Sequence, residues 1–127
     1  MIQKEKELLL IDICARLPYG AMVHYHYKRG DKTIDEDREL DFSDVESLKY
    51  GNEYPQDNWC EISWKPYLRP MSSMTEEENT KYEYGFLYSN DLQIYAEEYI
   101  DWLNAHHFDY RGLIEKGLAL EAPEGMY

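Results

Sequence analysis

At 127 residues, with 43% apolar and 15% aromatic side chains, the chain can bury the core of one domain without metal or disulfide staples, which excludes a disordered tail. Its formal charge of −13, from 26 acids against 13 bases, argues against direct binding to nucleic acid or to an anionic membrane. Two cysteines, Cys14 and Cys60, are too few for a disulfide scaffold, and the apolar run from Leu8 to Ile11 is too short to cross a bilayer or form a signal-peptide core. A cytoplasmic protein with two buried thiols is expected.

The first element reads as a helix over 3–17, with Leu9, Leu10, Ile13, Cys14 and Leu17 at three- and four-residue spacings. Pro18 ends it, and Pro18-Tyr19-Gly20 makes the turn. The helix is apolar around most of its second half, which would place it under other elements. Residues 21–28 then alternate, with Val23, Tyr25 and Tyr27 on one face and Met22, His24, His26 and Lys28 on the other. Arg29-Gly30-Asp31 reads as a tight reversal in which Gly30 is free to take positive φ, and residues 32–37 return as a polar partner strand. Leu40 and Phe42 are isolated apolar anchors. Ser43 and Glu46 have capping-box spacing for a short helix reaching Tyr50 and stopped by Gly51. Residues 52–58 form a loop around Pro55.

The stretch 59–78 carries the chain from sheet to helices. Trp59, Ile62, Trp64 and Tyr67 mark a strand over 59–67 that fades near Lys65, because Pro66 and Pro70 lack an amide hydrogen. Thr75 and Glu78 form a second capping box, opening a helix to about Tyr88 with Tyr82, Phe86 and Leu87 inward; Gly85 weakens it by up to ~1 kcal/mol relative to Ala. Ser89-Asn90-Asp91 breaks the pattern, and Leu92, Tyr95, Ala96, Tyr99, Trp102, Leu103 and His106 mark an amphipathic helix. Asp109 can cap a last short helix carrying Leu113 and Ile114, closed by Gly117; residues 118–127 read as an extended tail. The sum is a single α+β domain over 1–127, N-terminal helix first: a small antiparallel sheet of about three strands packed by helices, with a helical C-terminal half.

The run Lys65-Pro-Tyr-Leu-Arg-Pro-Met-Ser-Ser-Met-Thr-Glu-Glu-Glu78, together with 101–123 (Asp-Trp-Leu-Asn-Ala-His-His-Phe-Asp-Tyr-Arg-Gly onward), resembles a group of small proteins of no established activity. They are encoded by Bacteroides-type gut bacteria and by their phages and other mobile elements. The likeness covers the second half well and the first helix with Pro18-Tyr19-Gly20 loosely; residues 21–60 lie outside it. It implies an intracellular accessory protein and carries over no catalytic residue.

Among candidate sites, His24 and His26 stand two apart on a strand, so both project from one face in a manner that suits a shared metal. His106 and His107 are adjacent on a helix and point about 100° apart, and no third fixed ligand accompanies either pair. Solvent-facing histidines are the plainer expectation, and no cofactor is implied. Cys14 on an apolar helix face would be an inert thiol, and no nucleophile elbow or phosphate-cradling glycine loop is present. Arg29-Gly30-Asp31 is expected as an ordinary hairpin turn rather than an adhesion motif.

Lys65, Tyr67, Arg69 and Met71 form a basic, aromatic island between two acidic regions, 31–61 with a balance of −8 and 76–101 with −7. Such residues suit a partner-binding surface; alternatively Tyr67 and Leu68 plug the strand-to-helix corner while Lys65 and Arg69 pair with neighbouring carboxylates. Thirteen tyrosines against three phenylalanines point the same way, toward half-wet aromatic surface. The expected function is a non-enzymatic accessory protein that binds another protein, with a homodimer as an equal use of the same surface. An acidic decoy for a nucleic-acid-binding protein is the second reading, and a metal-dependent enzyme centred on His24 and His26 the third.

Overall fold

A computed structural model describes residues 2–49, 60–82 and 92–127. The chain runs α1 (Gln3–Arg16), β1 (Met22–Arg29), β2 (Lys32–Glu39), α2 (Phe42–Lys49), β3 (Cys60–Leu68), α3 (Glu76–Tyr82), α4 (Leu92–Ala105) and β4 (Leu120–Glu121). It is an α+β fold around a four-stranded mixed sheet of order β2-β1-β3-β4. The three strands read from the sequence are antiparallel neighbours, and a fourth, parallel to β3, joins them. No described helix is long and apolar enough to cross a membrane.

The hairpin follows from its turn. Gly30 takes φ +58°, and Arg29 pairs with Lys32 across a two-residue loop, so the register runs unbroken to Met22 opposite Glu39. Alternation then puts Val23, Trp64, Pro66 and Leu68 on one face, where Leu9 and Ile13 of α1, Leu40, Val45, Leu113, Leu118 and Ala119 complete the core. Among the described residues the apolar cluster lies on that side, which gives the sheet a closed face and an open one.

Several expectations are corrected. α1 is not apolar all round: Leu9, Asp12, Ile13 and Arg16 turn inward, while Ile11 is 58% exposed and Cys14 is an exposed free thiol. Helical spacing selects the inward stripe, and it happens to carry two charges. α2 starts at Phe42, and its cap is Asp41, two residues before the expected Ser43. Asp41 Oδ1 accepts the N–H groups of Ser43 (2.8 Å) and Asp44 (3.3 Å) and the Ser43 hydroxyl, while Asp44 accepts the Asp41 N–H at 3.0 Å. Arg38 fixes this register by gripping both Asp44 oxygens at 2.6 and 2.9 Å.

The Thr75–Glu78 box is present as read, with reciprocal bonds of 3.2 and 2.9 Å. Asp109 does cap its segment, accepting the Leu113 and Ile114 N–H groups, but what it caps is a series of turns and not a helix. The stretch 118–127 is no free tail: Leu120–Glu121 pairs with Tyr67 and Leu68, and the Ala122 N–H reaches the Leu68 carbonyl at 2.8 Å. Tyr50 and Gly51, the 52–58 loop, Trp59 and the stretch 83–91 with Gly85, Phe86 and Leu87 lie outside the described residues.

Leu68 is fully buried where the sheet meets α1, whereas Ile11 faces solvent. Leu68→Ala is expected to lower unfolding free energy by about 2–5 kcal/mol and Ile11→Ala by no more than ~0.5 kcal/mol, read from urea denaturation midpoints at constant slope.

Candidate functional site on the open face of the sheet

The Leu40 N–H bonds the Ala21 carbonyl at 2.7 Å, which sets the parity of the β1–β2 ladder. His24 opposite Asp37 and His26 opposite Asp35 are therefore the non-hydrogen-bonded pairs, whose side chains stand closest. His24 Nδ1 lies 2.8 Å from Asp37 Oδ1 and its Nε2 lies 3.2 Å from Asp35 Oδ1, while His26 Nδ1 lies 2.7 Å from the same Asp35 oxygen. From β3, the Tyr67 hydroxyl reaches over β1 and donates to Asp37 Oδ1 at 2.9 Å, its ring edge-on to His24 with centroids 6.2 Å apart.

This geometry favours one protonation state. Ionised carboxylates only accept hydrogen bonds, so a carboxylate beside each ring nitrogen favours the doubly protonated imidazole. The Asp37 bond foremost, with Asp35 adding to it, raises the His24 pKa above 6.5. Asp35 is drawn below the usual carboxylate value chiefly by its His26 bond, and Asp37 by His24 and then Tyr67. Burial, helped by the Asp37 bond, pushes the Tyr67 phenol up. The result is an imidazole braced on both nitrogens by carboxylates of the neighbouring strand and partly open to solvent.

Two of the sequence-derived sets therefore meet. His24 and His26 share this face with Tyr67 and with Lys65, which pairs opposite His24 and is exposed. Arg69 and Met71 do not join them, because the chain leaves the sheet at Leu68. Met71 opens a one-turn 3-10 helix, Met71–Ser73, and is half-buried.

Arg69 is committed internally. Its guanidinium binds both oxygens of Glu78 at 2.8 and 2.7 Å, touches the Ser73 carbonyl at 3.2 Å and lies 4.2 Å over the Phe108 ring. Its backbone bonds the His107 carbonyl and the Asp109 N–H at 2.7 and 2.8 Å. The Arg69 contact, before any other, holds the Glu78 carboxyl down at about 2. Between this corner and the segment Glu121–Tyr127 runs a cleft of about 570 Å³. Among the described residues no three His, Cys, Asp or Glu side chains are disposed to hold a metal ion. Both nitrogens of His24 already face carboxylates.

A second polar cluster escaped the sequence reading. Asp12 and Arg16 are wholly buried and bond at 2.8 Å; Arg111 reaches the other Asp12 oxygen at 2.8 Å, and Arg16 Nη2 donates to the Phe108 carbonyl at 2.5 Å. The spacing of four between Asp12 and Arg16 on an apolar stripe was the available signal. His107 ends α4 in the left-handed region at φ +65°. There its N–H reaches the Asn104 carbonyl and that of Phe108 reaches Leu103, a helix-closing pattern that usually employs glycine. Its ring stacks on Tyr127 with centroids 3.7 Å apart, and burial, then the Arg16 charge, pushes its pKa down to about 4.

No family model matches the chain, and no curated protein or solved structure does either. The open face is thus read from its own chemistry. An array of imidazole, carboxylate and phenol groups held by mutual bonds can present hydrogen bonds and charge to a partner surface in a set pattern.

The bonds of His24 stabilise the hairpin fully below the ordinary imidazole pKa of 6.5 and fade as pH rises through its raised folded value. The contributions of Asp35 and Asp37 are in place above 3.8 and fade as pH falls through their depressed values. An NMR titration of the imidazoles is expected to place His24 above 6.5, and Asp37→Asn to bring it down; an unmoved midpoint would contradict the bracing. At the corner, Glu78 supports the fold above 4.5 and loses that support as pH falls toward about 2. Acid denaturation of Glu78→Gln should accordingly show a shallower loss of stability over that interval than the parent.

Proposed function

We propose that the chain is a non-catalytic accessory protein that binds another protein through the open face of its sheet. The observation that carries this reading is the convergence of His24, His26 and Tyr67 with Asp35 and Asp37 on one face of the sheet, their side chains oriented by mutual bonds, with the exposed Lys65 beside them. Pre-orientation matters because ordering loose side chains at an interface costs about 0.5–1.5 kcal/mol each. A tyrosine and two histidines offer ring area with polar rims, the mixture that suits the boundary between dry and wet contact.

Internal pairing weighs against mimicry of a nucleic acid. Asp12, Asp44 and Glu78 are each engaged by an arginine of the chain itself, which lessens the free charge that would imitate phosphates.

The test is affinity capture from a Bacteroides-type lysate with three baits: the parent chain, Ser63→Arg with Lys65→Glu, and Glu115→Lys. Ser63 and Lys65 are exposed on the open face; Glu115 is exposed away from it. One partner held by the parent and by Glu115→Lys through a high-salt wash, and depleted at least tenfold with the double variant, is the expected outcome. Equal capture by all three baits, or release of everything by salt, would remove the open face from the interaction, since screening weakens contacts made by exposed charge.

A further inference from the structure

β2 is the outermost strand of the sheet, and among the described residues no strand pairs with its outer side. The ladder parity fixed by the Leu40–Ala21 bond turns the backbone groups of Ile34, Glu36 and Arg38 toward β1. It leaves the N–H and C=O groups of Thr33, Asp35 and Asp37 directed outward. Protein edges are commonly blunted by proline, by a bulge, by shortness or by charged side chains. β2 has only the last: its eight residues pair with β1 without a slip, contain no proline, and are exposed except for the half-buried Arg38.

Charge selects the occupant. A second copy added edge to edge would set Asp35, Glu36, Asp37 and Glu39 against the same acids, and like charges directly opposite destabilise a strand pair. An extended basic segment meets the reverse situation. Over the open face it finds Asp35, Asp37 and Glu39 at every second residue, with His24 bonded to the first two. On the other face it finds Ile34, 49% exposed.

We propose that β2 is a strand-addition site for an extended basic segment of a partner protein. The segment carries Lys or Arg at alternate positions above Asp35 and Asp37, and a β-branched apolar residue against Ile34. The backbone groups of Thr33, Asp35 and Asp37 supply the ladder bonds, and the alternating acids supply register, because a shift by one residue would turn every basic side chain to the wrong face. This rests on the reading of the chain as a partner-binding protein and names the chemistry of the partner.

The probe is a capped heptapeptide, Lys-Val-Arg-Thr-Lys-Val-Arg, titrated into the full chain and followed by amide NMR shifts and by calorimetry. Three comparison peptides accompany it: one of the same composition with the four basic residues in a block, one with glutamate in place of every basic residue, and one N-methylated at the residues that would donate to β2. Thr33→Pro supplies the protein-side control, since it removes one outward N–H, keeps every acid and spares the bonds to β1.

The expected result is binding of the alternating peptide, with shifts and slowed exchange at the Thr33, Asp35 and Asp37 amides. Binding should be at least tenfold weaker for the blocked and N-methylated peptides and for Thr33→Pro, and undetectable for the glutamate peptide. Equal binding of the alternating, blocked and N-methylated peptides would overturn the proposal in favour of diffuse attraction, as would no binding at millimolar peptide. A dimer of the chain that Thr33→Pro dissolves would also overturn it, by making a second copy the occupant. If the lysate partner requires Ser63 and Lys65 but leaves the β2 amides unshifted, the binding role stands and strand addition falls.

Discussion

Arg16 crosses the core to the Phe108 carbonyl, and Asp12, one turn earlier on α1, holds its charge in place. Neither side chain has any exposed surface, so each needs the other: removing one partner of such a buried pair typically costs about 3–5 kcal/mol, because the survivor keeps its charge without its bond. Arg111 closes the cluster on the second Asp12 oxygen. The same carbonyl belongs to the segment whose backbone clasps Arg69, and Arg69 in turn ties down α3 through Glu78. One line of charge-assisted bonds thus runs from the first helix to the strand-to-helix corner. Burial first, and then the Arg16 charge, keep His107 neutral at physiological pH.

The two faces of the sheet divide the labour. Val23, Trp64, Pro66 and Leu68 look inward onto apolar neighbours, and burial there supplies most of the cohesion. His24, His26 and Tyr67 look outward, and their order comes from directed bonds to Asp35 and Asp37. Such a surface can be specific without being deep. Its information lies in the angles at which protons and lone pairs are presented.

What the sequence made legible was local. Strict alternation in 22–28, the glycine at the reversal and the threonine-to-glutamate box at 75–78 each involve neighbours in the chain, and each appears in the structure. What it hid was set by distance along the chain. Two residues, Leu120 and Glu121, show no alternation of their own and become a strand only because Tyr67 and Leu68 offer an edge. The inward charges of α1 look out of place until residues 108 and 111 come beside them. The open-face site was half visible: the spacing of His24 and His26 put them on one side, but only strand register brings Asp35, Asp37 and Tyr67 to meet them. Arg69 and Lys65 look equivalent in sequence, and the end of β3 between them separates a core fastening from a surface charge.

Tyr127 accepts the Met22 N–H and donates to the Tyr67 carbonyl, at 2.7 and 2.8 Å, joining points 105 and 60 residues upstream. During synthesis, therefore, the hairpin can close as soon as it leaves the ribosome, since its contacts span few residues and loop closure is cheap over short distances. The far side of the sheet must wait. Leu68 keeps an unsatisfied carbonyl, and His107 an uncovered ring, until the last stretch emerges to supply Ala122 and Tyr127. The molecule acquires its two edges at different times: the acidic edge early, by local pairing, and the parallel edge late, by capture of a distant strand.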